Sequence, residues 1–517
     1  MRRTKISIIN ASLGVFATFV EIIALLVLKQ KFVAELGDSL YGLDQFVKNV
    51  VYAFSLAELG VGSVIGFSLY KPIAQENYDE VIAIMQFYKK IYLRVSFAVL
   101  TIGIIFMPLL GNFAKEYKFN PGFLYTSYCL FLLNSFLSYF FSCNKTLIIS
   151  LQKNFILSII RIICCILGTI LLILSIIYTR DYIFYLSIWV VLQVLENLFS
   201  HFFAKRKYPY FFSKKIYKLS TEKVNKMSKN IKALITHRIG GVFVLNSDGI
   251  IVTIMGNLDI FGFFSNYILI TSSVHKILTQ IFDGIRASFG DFSAKKEKSE
   301  MEKIFLVLQT LAFIIYTWSS VFVLNLCQLF IELWMGKDKQ LSFLSVVLFV
   351  LNFYLRGFRL PIDLVKDVNG IYQQDKYKPI IEAVVKLVCS IILGIYLGYV
   401  GVILGTTLSF VFVLLIIEPY VVYKYAFNKR VFSYYLIYFK YFFVFSLTCL
   451  SSFFACSFLN TNQNLITLMF EKFAISLFLP PLFFVLFLRK TYEFKFLTNI
   501  FKFLILNVFS TKMIKKN

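Results

Sequence analysis

Residues 155–178 read FILSIIRIICCILGTILLILSIIY, and after Thr179-Arg180-Asp181 residues 182–204 read YIFYLSIWVVLQVLENLFSHFFA. Each run is long enough as a helix to span the roughly 30 Å hydrocarbon core of a bilayer, and each carries a single Lys, Arg, Asp or Glu. Three polar residues between them are a helix stop and a helix start. This pair predicts two antiparallel membrane-spanning helices. The pattern recurs along the chain, in fourteen apolar stretches near 7–28, 43–70, 93–113, 122–142, 155–178, 182–204, 234–257, 261–288, 304–332, 341–362, 379–398, 400–422, 432–457 and 465–488. Glu21, and the lack of a small-residue cleavage site, make the first a retained helix.

Composition agrees. Of 517 residues, 58% are hydrophobic and 16% charged, well below a soluble domain's quarter, and Phe alone contributes 60. The net charge of +25 reads as basic cytoplasmic loops, not nucleic-acid binding. With the N-terminus inside, inner segments carry 38 Lys/Arg and outer segments 7. Both termini are therefore expected in the cytoplasm. The eight cysteines form no C-x-x-C pair and lie mostly in apolar runs, and the three histidines are not spaced for a metal.

The basic stretch 204–232 follows the sixth span. It divides the chain into an N-terminal lobe (1–203), a cytoplasmic linker (204–232), a C-terminal lobe (233–425), two appended spans (426–490) and an amphipathic tail (491–517) on the inner lipid surface. The lobes show a weak internal repeat. Ser68 and Ala74 match Ser288 and Ala294 at one constant offset, each pair entering a short charged helix. Six spans per lobe make these parallel repeats about the membrane normal.

Ionisable groups within spans cost roughly 2.5–3.5 kcal/mol each at mid-bilayer and need a reason. Arg161 and Glu196, at similar depth on adjacent spans, are candidates for an ion pair. Lys378, Glu382 and Lys386 recur every four residues and read as a self-satisfied stripe or a cavity lining. His237, Arg238 and Asp248 on the seventh span, with His275, Lys276, Asp283 and Arg286 on the eighth, make a polar sector that is either an internal salt-bridge network or a cationic water-filled path. As a path, Arg238, Lys276 and Arg286, with His237 and His275, leave a positive surplus suited to phosphate. Glu21 and Glu58, with Asp248 and Asp283, are the acids available for H+ or Na+ coupling. No G-x-x-x-x-G-K-[ST] or G-x-S-x-G motif is present, and no outside loop is long enough for a catalytic domain. No cofactor is expected.

Four stretches resemble the Wzx-type polysaccharide repeat-unit flippases of the multidrug/oligosaccharidyl-lipid/polysaccharide exporter (MOP, MATE-like) superfamily. They are SLAELGVGS with FSLYKPIA (55–63, 67–74), NSDGII through GFFSNYILI to ASFGD (246–291), LRGFRLPI with GIYQQDKYKPIIEA (355–362, 370–383), and GVILGTTLS with Glu418-Pro419. The resemblance covers about a third of the chain; the segment around Cys143 matches loosely and 449–517 not at all. It implies an all-α fold of two six-helix lobes around a central cavity. It also implies transfer of an undecaprenyl-pyrophosphate-linked oligosaccharide across the bacterial cytoplasmic membrane by alternating access, beside a polysaccharide polymerase and glycosyltransferases. The rivals are a multidrug/cation antiporter of the same superfamily and a membrane polymerase or ligase of lipid-linked sugars.

Overall fold

The computed structural model describes residues 2–54, 61–116, 120–212, 215, 217, 219–255, 258–295, 297–371, 374–460 and 464–502. Among the described residues every regular element is helical, and eleven helical stretches are long and apolar enough to cross a membrane. The chain packs as two compact units, Met1–Ser265 with Pro379–Leu387, and Asn266–Lys378 with Val388–Asn517.

The first unit contains α1 (Arg2–Leu36), α2 (Asp38–Phe54), α3 (Val61–Ala74), α4 (Tyr78–Glu116), α5 (Pro121–Ser150), α6 (Asn154–Thr179), α7 (Tyr182–Lys207), α8 (Thr221–Met255) and the first turns of α9 (Leu258–Lys295). Helix ends follow local chemistry. The Asn120 side chain accepts from the Gly122 N–H at 2.9 Å, with Pro121 opening α5. Asp181 accepts from the Ile183 and Phe184 N–H groups at 2.7 and 3.2 Å. Arg180 turns left-handed to close α6, so the α6–α7 hairpin needs only two linking residues. Helix α1 packs on α6, α5 lies against both α4 and α7, and α8 packs on α2 and α3. That last contact places α8 in the first unit, so the packing divides inside α9 and not at the basic stretch 204–232.

The second unit is built on α10 (Lys298–Met335), whose apolar middle is largely buried and which packs against α11 (Phe343–Phe358), α12 (Leu360–Asn369), α16 (Phe432–Ser457) and α17 (Leu465–Leu488). The part of α13 (Lys378–Leu397) beyond Leu387 makes a tight hairpin with α14 (Tyr399–Ser409). A Cβ on Gly401 would lie 2.8 Å from the Gly394 nitrogen, and one on Gly405 2.6 Å from the Ser390 Cα. The chain continues through a π-helical turn, Phe410–Leu414, into α15 (Leu415–Val421) and a second π turn, Val422–Phe427.

The expected second, seventh and eighth spans are not among the eleven. Helices α2 and α3 are each short, with residues 55–60 outside the described set, and α8 and α9 carry several charges. The tail is helical over 492–502, with Tyr492 and Phe501 exposed.

The internal repeat extends to the helices. Helices α4 and α10 begin at residues 78 and 298, and α2 and α9 at 38 and 258. The equivalent starts of α2 and α9 meet each other. Gly42 lies so close to Leu258 that a Cβ would sit 2.8 Å from its carbonyl carbon, and a Cβ on Gly262 would lie 3.2 Å from the Asp38 carbonyl oxygen. Each glycine packs on the first residue of the other helix, a reciprocal contact of the kind a local two-fold relation produces.

Candidate functional site

Three breaks in helical structure gather the charges of the second unit. At the first, Pro361 opens α12 and the Ile362 N–H turns to the Arg359 carbonyl at 2.9 Å. The Phe358 carbonyl accepts from Gln309 Nε2 on α10 at 2.8 Å. At the second, Pro379 follows Lys378 at the start of α13. At the third, Pro419 lies inside α15, lacks the N–H that would serve the Leu415 carbonyl, and leaves that oxygen to the Tyr435 hydroxyl at 3.1 Å. Each break sets one charged side chain inward: Arg359, Lys378 and Glu418.

Glu418 is fully buried and accepts from all three cations of the cluster. Arg359 Nε lies at 2.6 Å, Lys378 Nζ at 2.9 Å and Lys366 Nζ at 3.3 Å. Arg359 Nη2 also donates to Asp363 at 3.1 Å, and Lys366 to Asp375. Among the described residues three cations face three carboxylates, a balance under which charges persist in a low-dielectric interior.

Arg356 does not share in this balance. It sits half-buried one turn before Arg359, near the end of α11, and among the described residues it has no ion pair and no hydrogen bond. Its electrostatic neighbours include Arg359, His275 and the Tyr316 hydroxyl. Arg356 is not among the candidate residues named from the sequence. The signal was available: an Arg at the end of an apolar run with no acid within a turn on the same helix.

The residues that the sequence singled out fall elsewhere. His275 is buried and hydrogen-bonded through Nδ1 to the Tyr316 hydroxyl at 2.8 Å, with Phe353 against both rings. It is packed as a core histidine. Gly357 makes this possible, because any Cβ there would enter the Tyr316 ring. One position on, Lys276 is exposed, as the 100° helical step requires. Arg286 is compensated by Asp283 at 3.0 Å and by Asp367, so it supplies no positive surplus. The expected Arg161–Glu196 pair does not form. Helix α5 packs on α7 and brings Lys145 to Glu196 at 2.9 Å, while Arg161 is exposed on α6. Glu21 is half-buried on α1. Glu58 and the side chains of His237 and Arg238 lie outside the described residues.

The stripe on α13 is not self-contained either. Lys386 bonds Asp248 of α8 at 2.9 Å within the first unit, and Lys378 belongs to the Glu418 cluster of the second. The first unit holds two further buried charges that the sequence reading passed over. Lys29 donates to Ser265 at 2.7 Å above the Tyr41 ring, and Asp44 takes Lys48 at 2.7 Å and the Tyr182 hydroxyl at 3.3 Å. The first apolar stretch ends at residue 28, but α1 runs on through Lys29 to Leu36.

No family model and no curated relative matches the chain. Solved structures do. The lipid II flippase MurJ, in an inward closed conformation, superposes with a TM-score of 0.64 at 14% identity, over 92% of this chain and 98% of that one. An inward-facing multidrug resistance MATE family transporter of the MOP superfamily gives 0.60 at 14% identity, over 80% and 97%. A Vibrio cholerae MATE transporter gives 0.53 at 9% identity, over 83% and 99%. The chain has the fold of the MOP transporters. It is a multi-pass membrane protein, and the solved flippase and drug exporters that share its fold span nearly their full lengths on it.

Proposed function

We propose that this protein is a flippase that moves an undecaprenyl-pyrophosphate-linked oligosaccharide across the bacterial cytoplasmic membrane, as the Wzx-type resemblance implies. The observation that carries this reading is Arg356. An unpaired guanidinium near the end of a membrane helix is expensive to maintain without a partner, and a phosphate that arrives with the substrate supplies one by bidentate hydrogen bonding. The balanced Glu418 cluster beside it holds Arg359 in place and draws no charge from Arg356. Fourteen spans with both termini inside, and Arg238 and Lys276 as further basic contacts on the path, belong to the same reading. Asp248 and Glu21 are the acids through which an H+ or Na+ gradient would drive the cycle. The better coverage by the lipid II flippase, 92% against 80% for the drug exporter, supports a lipid-linked substrate over the antiporter reading.

The test is transport of a lipid-linked oligosaccharide in vesicles containing the purified protein. Arg356→Gln should lose most transport and Arg356→Lys should keep only part, since Lys binds phosphate as a point charge. Transport of organic cations, with none of the lipid-linked sugar, would favour the antiporter.

A further inference from the structure

An open polar pocket of about 410 Å³ lies in the second unit where α10 begins and α12 ends. Its walls include Ser293, Lys298, Met301, Asn369, Gln374 and Tyr425. The volume is within the roughly 300–1,000 Å³ range of small-ligand sites. Its chemistry is selective. Amide and hydroxyl groups from Asn369, Gln374 and Ser293 match sugar hydroxyls as both donors and acceptors. The exposed Tyr425 presents an aromatic ring to the same space. Lys298 adds one cation, and among the described residues it forms no ion pair or hydrogen bond. A single cation suits one acidic group and not a polyanion such as a nucleotide. The lining, polar apart from Met301, Ile371 and Ala426, is a poor match for an acyl chain.

We propose that this pocket binds the saccharide end of the transported lipid, and prefers a saccharide that carries an anionic substituent. The inference rests on the flippase reading and extends it to recognition of the sugar. Its position is consistent with that role. The Lys/Arg distribution assigns this end of the unit to the cytoplasm. Asn369 lies thirteen residues beyond Arg356, at most about 20 Å along α11 and α12. A lipid-linked sugar in the inner leaflet likewise carries its saccharide farther from the bilayer centre than its phosphate. Arg356 would then meet the constant part of the substrate, and the pocket the variable part.

The test is calorimetric titration of the full-length protein in lipid nanodiscs with glucose 1-phosphate, maltose and inorganic phosphate. Glucose 1-phosphate should bind most tightly, Lys298→Gln should weaken it about tenfold, and Gln374→Ala should weaken it several-fold. Both side chains are exposed, and among the described residues neither forms an ion pair or hydrogen bond, so neither change threatens the fold. No binding of any sugar, inorganic phosphate as tight as glucose 1-phosphate, or affinity unchanged in both variants would each overturn the proposal. Vesicle transport separates the two readings. Transport without pocket binding removes the pocket alone, whereas pocket binding without transport of the lipid-linked sugar removes the flippase reading.

Discussion

The Ser39 hydroxyl donates to the Asp259 carboxylate, and the two residues stand 220 positions apart, the offset at which the sequence repeats. Equivalent helix starts are therefore in direct contact in the first unit. The neighbouring glycines make that approach possible. Gly42 faces the Leu258 carbonyl and Gly262 faces that of Asp38, but the first contact is the tighter. Neither wall is a side chain that can rotate away.

Gly42→Ala should therefore destabilise more than Gly262→Ala. Overpacking typically costs 1–3 kcal/mol, and the Gly42 change should reach about the upper end of that range. Thermal unfolding of the detergent-purified variants checks the order. Equal Tm values for both variants and the parent would remove the close contact.

Glu418 offers a second measurement. Glu418→Gln leaves Lys378, Lys366 and Arg359 facing a neutral amide in a buried site, and removal of one partner from such a cluster costs about 3–5 kcal/mol. Adding Lys378→Met should recover part of that loss, because it removes one uncompensated cation. If the double variant is no more stable than Glu418→Gln, Lys378 does not depend on Glu418.

The sequence carried the helices further than it carried their partners. Asn120, Asp181 and the left-handed Arg180 are local signals, and the helix ends follow them. The pairing of Arg359 with Glu418 joins residues 59 apart through two chain breaks, and no periodicity reports that. The motifs around Arg359, Lys378 and Glu418 were prominent as family resemblance, yet their shared role as one ion cluster required the fold. Lys386 shows the same limit. Helical spacing offered Glu382 as its neighbour, and only the fold adds Asp248 of another helix. Arg161 and Glu196 failed for a related reason: similar depth on adjacent helices does not fix which face each residue occupies.

That correction is itself testable. Arg161→Ala should leave stability within experimental scatter, since Arg161 is exposed and unpaired among the described residues. Lys145→Ala should cost roughly 0.2–1 kcal/mol, because its pair with Glu196 is partly open to solvent. Denaturation of both variants in one detergent gives the comparison, and a larger loss from Arg161→Ala would reinstate the pairing read from sequence.

The break at Pro419 makes a prediction about hydrogen bonding. Tyr435→Phe removes the donor to the Leu415 carbonyl and should cost about 1–3 kcal/mol through an unsatisfied acceptor. In a Pro419→Ala background the restored backbone N–H competes for that oxygen, and the same Tyr435→Phe change should cost less. A double-mutant cycle measures the difference. Equal costs in the two backgrounds would mean that Tyr435 does not compensate for the proline.

The sharpest functional contrast lies between Arg286 and Arg356. The sequence placed Arg286 among the basic groups suited to phosphate, but Asp283 and Asp367 compensate it. A phosphate would have to displace two carboxylates to bind there, and at exposed positions those pairs are worth little to stability. Arg286→Gln should therefore leave both folding and vesicle transport near the parent level. Among the described residues Arg356 has no carboxylate to lose. Its replacement by Gln should leave stability unchanged or slightly higher, since a half-buried charge is removed with no partner stranded. Transport should nevertheless fall at least tenfold, about 1.4 kcal/mol or more of lost interaction with the anionic group. The two variants are compared in the same vesicles, at matched protein density and with Tm measured in parallel. Loss of transport in Arg286→Gln with normal transport in Arg356→Gln would return the phosphate site to α9 and leave the unpaired guanidinium on α11 without a role.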